Sequence, residues 1–80
     1  MKVKIYLAKK TKLSESPMRK ALYPYIKSIE YINNPKAADL IIDCEYINKD
    51  SIKERLKDIL ESVEKAIALK SKSVSPLRLD

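Results

Sequence analysis

Asp39-Leu40-Ile41-Ile42-Asp43-Cys44-Glu45-Tyr46-Ile47 is the stretch on which the fold turns. Leu40, Ile42, Cys44 and Tyr46 fall on one side of an extended chain; Ile41, Asp43, Glu45 and Ile47 fall on the other. That is period-2 patterning, the mark of a strand with one buried face. A parallel sheet covered by helices on both faces reads instead as a continuous apolar run. Asp43 and Glu45 on the second face therefore predict an antiparallel sheet, with its helices on one side.

Working outward, residues 2–8 form the first strand, where Val3, Ile5 and Leu7 alternate with Lys2, Lys4 and Tyr6. Lys9-Lys10-Thr11-Lys12 is a loop. Ser16-Pro17 opens a helix, with serine as N-cap and proline at the first helical position, Ser14 being the rival cap. Met18, Ala21 and Leu22 share one face, and Pro24 ends the helix at or before Tyr23; a kinked helix reaching Ile29 is the alternative. Residues 29–33 read as a short strand, and Asn34-Pro35 as a turn. Ser51-Ile52-Lys53-Glu54 reads as a capping box opening the second helix. Ile52, Leu56, Ile59, Leu60, Val63, Ala66 and Ile67 make one apolar stripe along it.

The expected fold is thus α+β, with a small antiparallel three-stranded sheet in the order β-α-β-β-α and two helices on one face. Residues 1–70 form the single domain and 71–80 a C-terminal tail. That tail is either loose or an extra edge strand around residues 74–79, where Pro76 confines a strand to an edge.

Eighty residues make one domain with a marginal core. Cys44 is the single cysteine and histidine is absent, so neither a disulfide nor a structural zinc site is expected to staple it. Idealised packing or oligomerisation are the remaining remedies, and a homodimer or a subunit of something larger is expected. No cofactor, metal or membrane span is expected, and the location expected is cytoplasmic. Without histidine, the usual general acid–base residue, no catalytic residue is assigned and the chain is expected not to be an enzyme. Asp43 and Glu45 read as a solvated or interface face, and Cys44 as a small buried hydrophobe.

The net charge of +6 is uneven: residues 1–27 carry eight basic groups and one acid. Lys4, Tyr6, Lys9, Lys10 and Lys12 are candidate nucleic-acid contacts, lysines holding phosphate and tyrosine stacking on bases. The alternative is a solvated lysine surface, with tyrosine serving as the chain's one aromatic core filler.

Three groups of residues carry a family resemblance: Leu40-Ile41-Ile42-Asp43-Cys44-Glu45; Asp50-Ser51-Ile52-Lys53; and Leu56, Leu60, Val63 and Ala66. Together with Lys20-Ala21-Leu22-Tyr23-Pro24 upstream, they resemble the small dimerising subunit of the archaeal and eukaryotic KEOPS complex, the CTAG/Pcc family. Lys53 stands where that family usually has arginine. The resemblance implies a non-catalytic scaffold that dimerises and binds the catalytic subunit of a KEOPS-like complex, supporting threonylcarbamoyladenosine modification of tRNA. It implies that Met18, Leu22, Ile52, Leu56, Ile59, Leu60 and Val63 form a helical layer facing that partner. A second reading is a small basic nucleic-acid-binding α+β protein of archaeal or viral origin, contacting tRNA or other nucleic acid. A third is a degenerate flavodoxin-like or nucleoside-processing domain, because residues 34–42 resemble the turn into a parallel strand. The absence of glycine and the alternating strands count against it.

Overall fold

The structure, a computed structural model, describes residues 2–74 and the side chains of residues 2–71. In chain order the elements are strand β1 (Val3–Ala8), helix α1 (Lys12–Leu22), a 3-10 turn at Tyr23–Tyr25, strand β2 (Ile29–Tyr31), a second 3-10 turn at Pro35–Ala37, strand β3 (Leu40–Asp43) and helix α2 (Ile52–Val74). The expected order of strands and helices is present. The sheet type is not as expected. The strands lie in the order β2-β1-β3, and both pairings are parallel.

The register explains how a parallel sheet arises here. β2 pairs with the first half of β1, Val3 opposite Ile29 and Ile5 opposite Tyr31. β3 pairs with the second half, Ile5 opposite Leu40 and Ala8 opposite Asp43. Tyr31 and Leu40 thus stand level with the same residue, Ile5. The chain between them moves sideways across two strand spacings, about 10 Å, with no net travel along the strands. A parallel connection normally needs a dozen or more residues; this stagger lets residues 32–39 suffice.

The alternation in the sequence reported something true, the coverage of one face, but coverage does not fix strand direction. Val3, Ile5, Leu7, Ile29 and Ile42 are buried together with Met18 and Leu22 of α1 and Ile52, Ile59 and Val63 of α2. Both helices therefore pack on one face of the sheet. On the other face Lys4, Glu30, Ile41 and Asp43 are exposed and Tyr6 and Ala8 half-buried.

α2 starts at Ile52 as expected and α1 starts earlier than expected, and at both helices the capping bonds differ from expectation in the same way. α1 is capped by Thr11, whose side chain accepts from the amides of Leu13 and Ser14 (3.2 and 3.3 Å), while Ser14 Oγ accepts from the Thr11 amide (2.8 Å). Pro17 consequently lies inside the helix. Ahead of α2 the Asn48 side chain accepts from Asp50 and Ser51 amides (2.8 and 2.9 Å), and Ser51 Oγ accepts from the Asn48 amide (2.9 Å). Each is a reciprocal capping box. In each, a serine that reads as a cap is the partner three residues inside. α1 ends at Leu22, as Pro24 requires. α2 continues to Val74, past the expected domain limit, and the tail strand expected around 74–79 lies outside the described residues beyond Val74.

Candidate interaction surfaces

The helical layer that the resemblance assigns to a partner faces inward. Met18, Leu22, Ile52, Ile59 and Val63 are buried in the chain's own core, and Leu56 and Leu60 are half-buried at its margin. The sheet takes the main apolar stripe of each helix.

Of the five residues singled out for nucleic acid, Tyr6, Lys9 and Lys10 line one hollow together with Arg19 and Tyr31, while Lys4 and Lys12 are not part of its lining. Lys4 lies on the uncovered sheet face, its backbone amide donating to Asp39 Oδ2 (2.8 Å). Tyr6 is half-buried on the same face, one residue pair along, beside Ile41. Lys9 and Lys10 follow the end of β1 and meet acids: Lys9 Nζ donates to Glu45 Oε1 (3.1 Å), and Lys10 Nζ is 3.6 Å from Glu15 Oε2. The bond to Glu45 holds the Lys9 ammonium above its ordinary pKa. Lys12 opens α1 and points to a different surface.

Open α/β sheets bind ligands outside the carboxyl ends of their strands, so that edge is the first place to look for chemistry. Two non-glycine residues with positive φ sit there, Lys9 (56°) after β1 and Tyr46 (64°) after β3. The Lys9–Glu45 pair bridges the two loops. The first amides of α1 are taken by Thr11, so the helix start is closed by its own chain. Nearby, Arg19 pairs with Glu15 (3.2 Å) and lies over the Tyr31 ring, 4.4 Å from its centroid. The Tyr31 hydroxyl is buried without a hydrogen-bond partner, and burial raises its pKa. Cys44 is buried too, and burial first, then Asp43, pushes its thiol up, away from the reactive thiolate. Among the described residues no group of three or more histidine, cysteine, aspartate or glutamate side chains is placed to hold a metal. No helix is long and apolar enough to cross a membrane.

No protein-family model, curated protein or solved structure matches this chain.

Two surfaces among the described residues combine exposed apolar side chains with unsatisfied character. One is the uncovered sheet face. Its neighbouring pairs are Lys4 with Glu30, Tyr6 with Ile41, and Ala8 with Asp43. Ile41 is 54% exposed at its centre. The other is a groove on the helical side. Its first part, about 490 Å³, is lined by Lys12, Leu13, Pro17, Lys20 and Lys49 among others. It runs on past Pro17 and Lys20 into a hollow of about 290 Å³ over Ala21, Ile52 and Leu56, with Lys53 at its side. Sequence reading missed this groove because it began α1 at Ser16. With the start at Lys12, Leu13, Pro17 and Ala21 fall four residues apart, a second apolar line beside Met18 and Leu22.

Proposed function

We propose that this chain is a non-catalytic scaffold subunit that pairs with a second copy of itself through the uncovered face of its sheet. The observation that carries the reading is a parallel sheet whose two helices both lie on one face. Parallel sheets occur almost only with both faces covered by helices, and here Ile41, Tyr6 and Ala8 form an apolar patch on the face away from α1 and α2, with no described helix over it. The charge distribution favours a second copy as the cover. The chain carries +6, yet this face carries Lys4 together with the acids Glu30 and Asp43. Two like-charged copies approach with least repulsion where each is locally balanced. Six side chains on three short strands fall well short of the roughly 800 Å² per partner of a standard interface, so the expected dimer dissociates on dilution.

Sedimentation equilibrium over a concentration series tests the reading, comparing the native chain with Ile41→Asp. The native chain is expected to dimerise at hundreds of micromolar and the variant to stay monomeric with an unchanged circular dichroism spectrum. A native chain that is monomeric throughout, or a dimer indifferent to Ile41→Asp, overturns it.

The resemblance to the small KEOPS subunit gives such a scaffold a setting, beside a catalytic subunit acting on tRNA. In that setting the partner meets the margin of the helical layer, at Leu56 and Leu60, since the rest of it faces inward. Affinity purification from the native cells, with and without nuclease, tests the setting. Recovery of a KEOPS catalytic subunit in both samples supports it. Recovery of nucleic acid and nuclease-sensitive proteins alone replaces it with the nucleic-acid-binding reading.

A further inference from the structure

We propose that the groove between α1 and the start of α2 docks an acidic amphipathic helix of a partner protein. This goes beyond the dimer reading and does not depend on it, because the groove lies on the helical side, away from the bare sheet face.

The floor is apolar and accessible: Leu13 is 72% exposed, and Pro17, Ala21 and Leu56 are half-buried. Around it stand Lys12, Lys20, Lys49 and Lys53, all exposed, with Asp50 the one acid lining the groove. None of these four lysines forms an ion pair among the described residues. The contrast with Lys9, Lys10 and Arg19 is informative, since those three have carboxylates close by. Four unpaired like charges around an apolar strip repel one another in the free protein and attract an acidic ligand.

The shape selects a helix. From Leu13 to Ala21 the floor runs about 12 Å along α1, at 1.5 Å per residue. That length takes rather more than two turns of a docked helix, whose apolar residues at i, i+3, i+4 and i+7 reach the floor while acids on its flanks reach the lysines. Nucleic acid fits less well, because neither part of the groove is lined by an aromatic ring on which a base would stack. A second copy fits less well, because the exposed acids of α2, Glu54, Asp58, Glu61 and Glu64, are interleaved with Lys53, Arg55, Lys57 and Lys65.

The test is a methyl-detected NMR titration of the full chain. The probe is an 18-residue synthetic helix with a leucine stripe flanked by glutamates. Its scrambled sequence and a 12-nucleotide single-stranded polyuridine serve as comparisons. Saturable shifts centred on Leu13, Ala21, Ile52 and Leu56 are expected with the helix, with the scrambled peptide at least about tenfold weaker. Charge reversal at Lys20→Glu with Lys49→Glu, both exposed, is expected to weaken binding about tenfold. Leu13→Asp is expected to weaken it without disturbing the fold. Equal binding of the scrambled peptide, tighter binding of polyuridine, shifts mapping outside the groove, or no saturable shift would each overturn the proposal.

Discussion

Ile41 and Ile42 are adjacent, identical in composition and opposite in consequence, so replacing each with alanine tests the whole arrangement of the sheet. Ile42 is 6% exposed and joins the core; Ile41 is 54% exposed on the bare face. Ile42→Ala removes three buried carbons at about 0.8 kcal/mol each. With the cavity that remains, about 2–5 kcal/mol is expected. Ile41→Ala loses only partial burial and strand propensity, about 1 kcal/mol. Domains of this size have roughly 4–12 kcal/mol in total, so Ile42→Ala approaches the unfolding threshold. The assay is urea denaturation followed by far-UV circular dichroism at low micromolar protein, where a weak dimer is dissociated. At a slope of about 1 kcal/mol per molar urea, the two midpoints should differ by at least about 1 M. Equal midpoints, or a larger loss for Ile41→Ala, would refute the register, because a one-residue slip exchanges the two faces.

Thr11→Ala removes the acceptor for two amides of α1 and is expected to lower stability by about 1 kcal/mol, read as a shift of the same urea midpoint. Tyr46→Gly is expected to raise stability by about 0.5–1 kcal/mol, since it relieves a left-handed backbone at a side chain that is 87% exposed, and a lower midpoint would show that the loop is not strained. Asp39 accepts from the Lys4 amide and from Lys70 Nζ (2.6 Å), and these hold its carboxyl below the usual value. A depressed carboxyl contributes stability above its unfolded pKa, about 3.9, and the contribution disappears as pH falls through the folded value. Asp39→Asn should therefore be less stable than the native chain at pH 7 and lose less stability on acidification below about pH 4, by thermal melting in a pH series; parallel curves would remove Asp39 from the account.

Much of the fold was legible in single residues. The alternation of Val3, Ile5 and Leu7 with their polar neighbours located the core side of β1, and Pro24 located the end of α1. Direction was not legible from the face pattern. It was set by connections: a helix between β1 and β2 carries the chain back to the same end, and residues 32–39 cross to the far side of β1 instead of reversing beside β2. Asn34-Pro35 is a turn without the glycine-containing pair of a tight hairpin, a signal that the reversal was absent. The caps misled because serine suits both the N-cap and the third helical position, and only the hydrogen bonds tell which. The interaction surfaces were the least legible part. Unpaired lysines look like paired ones in a sequence, and Lys9 and Lys12 part company only when Glu45 is brought to one of them.

The parallel sheet also dictates an order of events on the ribosome. β1 is synthesised first, yet its nearest strand partner, Ile29 opposite Val3, comes 26 residues later, and Leu40 opposite Ile5 comes 35 residues later. No local hairpin can shelter it. Val3, Ile5 and Leu7 wait with only Met18 and Leu22 of α1 to cover them until Ile59 and Val63 of α2 leave the exit tunnel. Such an interval is when nascent apolar strands aggregate, and the nearly unopposed run of positive charge in the first 27 residues keeps neighbouring nascent chains apart while it lasts.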